Sequence, residues 1–152
     1  AKFNNIQLVG ISFIEHHSFE AFNEGVRLKQ CIEYQESLTG IKVKRVGADS
    51  IYANNANRTM CTEKGITTCF TRKGPRPKEE AECLKTARKI IGNLRATVME
   101  GSFGNQKQHY SLGRIKARNM FSERLLLFFG IHTANAAILA AREMARRGKK
   151  AA

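Results

Sequence analysis

An α/β or α+β fold follows from the order in which strand-like and helix-like segments alternate along this chain. Three observations carry that prediction. Residues 41–46 alternate Ile, Val and Val with Lys, Lys and Arg, the period-two pattern of a half-buried strand. Longer segments place residues of one face three or four apart, as in Leu28, Cys31, Ile32 and Gln35, the period of a helix. Glycines and prolines punctuate the junctions between the two kinds of segment.

Residues 3–9 and 11–15 form two short strands about Gly10, a hairpin pattern. Ser18 offers a cap to a helix running to about Leu38, which Thr39-Gly40 stops. The strand at 41–46 comes next, and Asp49 follows at its carboxyl end. Functional groups of open α/β sheets concentrate at that edge. Residues 54–64 form a short helix with Asn available as cap and Gly65 as stop. A strand covers 66–71, and Gly74-Pro75-Arg76-Pro77 breaks the chain.

The longest helical pattern runs from 78 to about 103, through Cys83-Leu84, Ala87, Ile90-Ile91, Leu94 and Val98. A last helix covers 122–146, followed by a frayed basic tail at 146–152. Its apolar stretch at 125–141 is interrupted by His132, Thr133 and Asn135, falls short of a membrane span, and reads as a core helix. Residues 1–145 are then one domain, long enough to bury a core.

The formal charge of +13 is uneven. Residues 1–71 hold eight Lys/Arg against seven Asp/Glu, whereas residues 72–152 hold eighteen against six. Such asymmetry points to a polyanion contacted by one face; the competing account is a solvated surface. Four cysteines without a Cys-x-x-Cys pair and four histidines without zinc-ligand spacing argue against a structural zinc site. Free thiols and an opening without a signal-peptide pattern give a cytoplasmic expectation.

Two segments carry the chemistry. One is Val46-Gly47-Ala48-Asp49-Ser50-Ile51-Tyr52. The other is Met99-Glu100-Gly101-Ser102-Phe103-Gly104-Asn105-Gln106-Lys107, followed by Tyr110, Arg114, Lys116 and Arg118 with no intervening acid. A carboxylate with a lysine seven positions on suits a metal-holding acid beside a phosphate-holding base. Together the segments resemble the catalytic domain of bacterial insertion-sequence transposases of the DDE type. The branch in question has a Gly/Ala-Asp-x-Ile-Tyr motif around its second acid and Glu-Gly-x-Phe-Gly around its third. The resemblance covers about residues 1–141, and the Glu100 block is its most specific part.

The resemblance implies a ribonuclease H-like fold, a mixed sheet flanked by helices. The first sheet strand, its aspartate and an amino-terminal DNA-binding region are expected upstream of residue 1. Glu15 and Glu20 do not sit where the family places that aspartate. Asp49 and Glu100 would be two of three acids holding a pair of Mg²⁺ (or Mn²⁺) ions about 3.5–4 Å apart, and so would lie within roughly 10 Å of each other. Of the family signature Tyr-x2-Arg-x3-Glu-x6-Lys, Glu100 and Lys107 keep the last part. The arginine position holds Ala96, with Arg95 one step earlier, and the tyrosine position holds Asn93. Lys107 is implied to contact a phosphate near the scissile bond, and Arg95 to reach the same site by a different path.

The implied activity is metal-dependent cleavage and strand transfer at transposon ends, with DNA as partner, no membrane, and a homodimer in the synaptic complex. Without its first acid, the isolated chain is expected to be inactive. The alternatives are a non-catalytic nucleic-acid-binding remnant of a truncated transposase and a different ribonuclease H-like nuclease. Each residue also has a plainer account. Asp49 could cap a turn, while Glu100 and Lys107 could be solvated surface. Tyr52, Phe103 and Tyr110 could pack or stack on a base, Asn54, Asn55 and Asn57 could cap a helix, and His109 and His132 could be structural.

Overall fold

The computed structural model describes residues 2–74 and 82–150. In chain order the elements are β1 (Lys2–Leu8), β2 (Ile11–Ser18), α1 (Leu28–Thr39), β3 (Arg45–Val46), α2 (Asn55–Glu63), β4 (Thr67–Thr68), α3 (Glu82–Leu94), α4 (Glu100–His109) and α5 (Met120–Lys150). Single 3-10 turns precede α1 at Glu24–Val26 and α2 at Ser50–Tyr52, and a π-helical segment, Arg95–Met99, separates α3 from α4. The mixed α/β class expected from the sequence is the one observed, with two small two-stranded sheets, β1–β2 and β3–β4. The chain divides into two compact units, residues 1–6 with 14–98, and residues 7–13 with 99–152.

The first unit is built on α1 and α2 against the β3–β4 pair. Leu28 and Ile32 of α1 meet Val43, Cys61, Ile66 and Phe70 in one buried cluster, with Val46, Ala48 and Tyr52 packed at its edge. β3 and β4 run parallel, Arg45 opposite Thr67 and Val46 opposite Thr68. The expected stops hold. Gly40 is left-handed at φ 67° and its N–H donates to the Glu36 carbonyl at 2.8 Å, the glycine C-cap geometry. Asn54 caps α2 by accepting from the Asn57 N–H at 2.9 Å.

Several boundaries differ from expectation, each for a visible reason. Ser18 ends β2 rather than starting a helix. His16 and His17 meet Phe22 and Phe19 edge-on at 4.7 and 5.2 Å, which ties the following residues to the strand end. α1 therefore begins only at Leu28. The strand expected at 41–46 shrinks to Arg45–Val46, because Glu36 takes both the Val43 N–H at 3.0 Å and the Lys42 ammonium at 2.8 Å. That segment is held by α1 instead of by a neighbouring strand. The strand expected at 66–71 is limited to Thr67–Thr68: the Ile66 N–H donates to the Cys61 carbonyl at 2.7 Å and Arg58 Nη2 to the Thr71 carbonyl at 2.6 Å. The break expected at 74–77 and the start of the long helix lie largely outside the described residues. That helix is also not continuous α; the π segment interrupts it and α4 carries on to His109.

In the second unit the hairpin tip, Val9-Gly10, has φ of 50° and 80°, both positive as a two-residue hairpin turn requires. Among the described residues of this unit, Leu112, Leu127, Ile131 and Ala134 are the buried apolar ones. Gly130 is needed there, since a Cβ would fall 2.6 Å from Leu112 Cδ2 and 2.8 Å from the Tyr110 carbonyl oxygen. Ser12 is fully enclosed. Its N–H donates to Asn135 Oδ1 at 2.9 Å, its carbonyl accepts from Asn135 Nδ2 at 2.8 Å, and its hydroxyl accepts from Gln106 Nε2 at 2.7 Å.

α5 is longer than expected at both ends. Asn119 accepts from the Ser122 N–H at 2.8 Å, so the cap lies before Ser122; of the frayed tail expected at 146–152, residues 146–150 are helical and the rest lies outside the described residues. It is a core helix on one face only, with Leu127, Ile131, Ala134 and Asn135 buried. By length and composition alone it could also cross a membrane, a test that core helices of soluble proteins pass as well.

Candidate functional site

Asp49 stands three residues beyond Val46, past the carboxyl end of the parallel β3–β4 pair. The chain turns there. Asp49 is the N-cap of the Ser50–Tyr52 turn, and its Oδ1 accepts from the Ser50 N–H at 2.5 Å and from the Ser50 hydroxyl at 3.3 Å. The capping role open to it in the sequence is real, and it fixes the direction of a carboxylate that is otherwise exposed.

Gly47 has a steric reason for its place in the motif. A Cβ on it would lie 3.2 Å from Ile91 Cγ2 and 3.7 Å from the Arg95 Cβ. The end of α3 and the start of the π segment thus press directly on the backbone two residues before Asp49. This close approach sets Arg95 beside the strand end that presents Asp49.

Tyr52, three residues on, is structural. Its hydroxyl donates to Asn4 Oδ1 at 2.8 Å. Asn4 Nδ2 in turn donates to Glu15 Oε2 at 2.9 Å and approaches Cys31 Sγ at 3.2 Å, while Arg27 holds Glu15 through two hydrogen bonds of 3.0 and 2.5 Å. Burial raises the Tyr52 phenol above its ordinary range, with the Cys31 and Glu24 charges adding to it, so the group stays a neutral donor. Burial, together with the Glu15 charge, pushes the Cys31 thiol up to about 11, and burial also raises Cys61. Neither sulfur is a thiolate nucleophile at neutral pH. Burial works against the charged form of Glu15, but the hydrogen bonds from Arg27 and Asn4 outweigh it and hold the carboxyl below its usual range. The sequence reading passed over this network, because Asn4, Glu15 and Arg27 carry no motif and meet only in the folded unit.

Asn57 is likewise structural, buried with its Nδ2 donating to the Gly25 carbonyl at 2.6 Å and the Tyr52 carbonyl at 2.8 Å. Asn55 accepts from Lys73 Nζ at 2.8 Å.

Glu100 opens α4 in the second unit and is solvent-exposed. Lys107 and His109 occupy the last turn of α4, where a lysine ammonium suits the helix dipole. Phe103 and Tyr110 are half-buried. After Ser111, at a positive φ of 58°, the chain folds back on α4: a Cβ on Gly113 would lie 3.2 Å from the Lys107 carbonyl oxygen. Arg114 therefore starts beside Lys107 although seven positions separate them. Along 114–118 the exposed Arg114, Lys116 and Arg118 alternate with the less exposed Ile115 and Ala117. Four exposed cations on one fold-back, with no acid between them, make a surface suited to a phosphate backbone.

The candidate residues thus fall into two sets: Asp49 with Arg95 in the first unit, and Glu100 with Lys107, Tyr110, Arg114, Lys116 and Arg118 in the second. Among the described residues, no three His, Cys, Asp or Glu side chains converge as a metal-binding group.

Residues 46–126 match the family described as the transposase DDE domain, and every candidate residue above lies within that span. No curated protein and no solved structure matches the chain. A match over more than half of the 152 residues places this chain in the DDE transposase family.

Proposed function

We propose that this chain is the catalytic domain, in its carboxyl-terminal part, of a transposase that cuts and joins DNA at transposon ends. The observation that carries the reading is the placement of Asp49 just past a parallel strand end, with Gly47 bare beneath Arg95, inside the span that matches the family. On this reading the fold is of the ribonuclease H-like type, residues 1–145 form the catalytic domain and residues 146–152 its basic tail. The protein works on chromosomal DNA in the bacterial cytoplasm, without a membrane, and as a homodimer when two ends are joined.

Asp49 and Glu100 are the proposed acids. Both are exposed carboxylates, the hard oxygen donors that Mg²⁺ or Mn²⁺ takes up while keeping several waters. A bound ion would supply charge at the reacting phosphate and a lowered pKa for the attacking oxygen. The chain's own part is to aim the acids and hold the DNA. The Ser50 N–H orients the Asp49 carboxylate, and Lys107, Arg114, Lys116 and Arg118 neutralise phosphates. Arg95 stands in for the displaced arginine of the signature, and Tyr110, half-buried, lines the same basic surface.

Iron-directed cleavage tests the acids without requiring turnover. Fe²⁺ substituted for Mg²⁺, with ascorbate and peroxide, should cut the polypeptide near residues 49 and 100, and excess Mg²⁺ should suppress both cuts. Asp49→Asn and Glu100→Gln should each remove their local cut while leaving DNA binding intact. Cutting elsewhere, or unchanged cutting in both variants, would leave the nucleic-acid-binding remnant as the better account.

A further inference from the structure

α4 is a helix without an apolar stripe. Along Glu100–His109 only Phe103 is a large apolar side chain, and Gly101 and Gly104 are weak helix formers. Hydrophobic periodicity normally decides which face a helix turns inward; here it gives no instruction. Polar contacts give it instead. Gln106 is buried, and its Nε2 donates to the Ser12 hydroxyl at 2.7 Å and to the Ser102 hydroxyl, one turn back, at 3.3 Å. Gln7 Nε2 reaches the same two hydroxyls from β1, Ser102 at 2.8 Å and Ser12 at 3.5 Å. Two carboxamides and two hydroxyls thus close a ring between the hairpin and one face of α4. Asn135 of α5 holds the backbone of the same Ser12.

The charges leave from another face. At about 100° per residue, Glu100 and Lys107 lie within about 20° of one line along the helix, and Ser102 and Gln106 within about 40° of a second line, roughly 130° around. Glu100 and Lys107 are both exposed. Gln106 also anchors the chain that follows. Its carbonyl accepts from the Tyr110 N–H at 3.2 Å and the Leu112 N–H at 3.3 Å, in the turn that brings Arg114 back beside Lys107. A ring of hydrogen bonds is directional where apolar packing is not. Turning α4 by one residue, about 100°, would take both hydroxyls and the Gln106 amide away from their partners, and buried polar groups are costly to leave unpaired.

We propose that Ser102 and Gln106 are positioning residues: their bonds to Gln7 and Ser12 fix the rotation of α4, and with it the direction in which Glu100 and Lys107 leave the helix toward metal and phosphate. What that rotation serves rests on the roles proposed above for the acid and the lysine. All four side chains of the ring lie in the second unit, together with the groups they aim.

Ser102→Ala and Gln106→Met remove the hydrogen-bonding groups, the first with a residue that favours helix and the second with a side chain of similar length. Rotation is read by double electron–electron resonance between spin labels at Lys107→Cys and Met144→Cys, both exposed, in a Cys69→Ser/Cys83→Ser background. The parent should give one narrow distance. Each variant should give a broader or shifted one, while far-UV circular dichroism keeps the parent's helix content. The phosphate side is read by duplex-DNA binding of the unlabelled chain. Ser102→Ala and Gln106→Met should each shallow the slope of log K against log salt by about one unit, and adding Lys107→Ala to either should change it no further. A merely structural role would leave the lysine its full unit in both variants. That result, or label distances unchanged in both, would overturn the proposal; if Gln106→Met does not fold, Ser102→Ala alone decides. A parent slope indifferent to Lys107→Ala would instead remove the phosphate role proposed above, and the label distances would then decide whether the ring aims α4.

Discussion

Asn135 takes the place of a neighbouring strand at Ser12. Its side-chain amide accepts from the Ser12 N–H at 2.9 Å and donates to the Ser12 carbonyl at 2.8 Å, so one helix residue satisfies both backbone groups of an enclosed strand residue. Buried backbone groups are costly to leave unpaired, which makes this amide the polar anchor of the second unit.

Asn135→Ala leaves both groups without their partner. At ~1–3 kcal/mol for each unsatisfied group, the variant should lose about 3 kcal/mol of stability. Urea unfolding followed by far-UV circular dichroism measures it. A change near zero would mean that water replaces the amide and that the anchor is dispensable.

Val9 heads the hairpin turn at φ 50°, a conformation that a β-branched side chain adopts only under strain. Its side chain is exposed, so no packing is lost on replacing it. Val9→Asn creates the Asn-Gly pair that this turn type favours and should stabilise the fold by roughly 1 kcal/mol. Thermal melts of the two proteins give the comparison, and a lower melting temperature for the variant would contradict the strain argument.

Glu15 should set part of the acid limb of stability. Its folded pKa lies below the ordinary value of 4.5, so its contribution is complete above that value. It is lost as the pH falls through the folded pKa. In Glu15→Gln, melting temperature should fall less steeply below pH 4.5 than in the parent. Glu36 and Glu143 are also lowered, by Lys42 and by Arg146 with Arg147, but these pairs face solvent and are screened by salt. Repeating the melts at high ionic strength therefore isolates the Glu15–Arg27 part. Superimposable acid limbs under those conditions would show that the pair carries no linkage.

The basic fold-back should bind duplex DNA with little sequence preference and a steep salt dependence. Lys107→Ala and Arg114→Ala should each shallow the slope of log K against log salt by about one unit. Lys42→Ala is a fair control, since its ammonium is already paired with Glu36 in the other unit. Equal slopes for all three variants would reduce the cluster to a solvated surface.

Much of this was legible in the sequence where a single residue decides local geometry. Gly40, Gly65 and Asn54 end or begin their helices as expected, because caps depend on φ and on one side-chain oxygen. Strand lengths were not legible, since Glu36 captures Val43 through a contact that no periodicity encodes. The π segment was invisible for a related reason: apolar residues keep nearly the same spacing whether hydrogen bonds close over four residues or five. Asn135 looked like an interruption in an apolar helix, and its role appears only with Ser12 in place. At the site, the strand-end position of Asp49 and the basic run could be read directly. The steric need for Gly47, the displaced Arg95 against it, and the Gly113 fold-back that joins Arg114 to Lys107 all required coordinates.

Ser12 and Asn135 stand 123 residues apart, and that distance is also an interval of time. Synthesis proceeds at roughly 5–20 residues per second, so the Ser12 backbone waits on the order of 6–25 s before its partner exists. The cluster of Leu28, Ile32, Val43, Cys61, Ile66 and Phe70 is complete long before then. During the wait the Ser12 N–H and carbonyl lack the side chain that satisfies them in the fold.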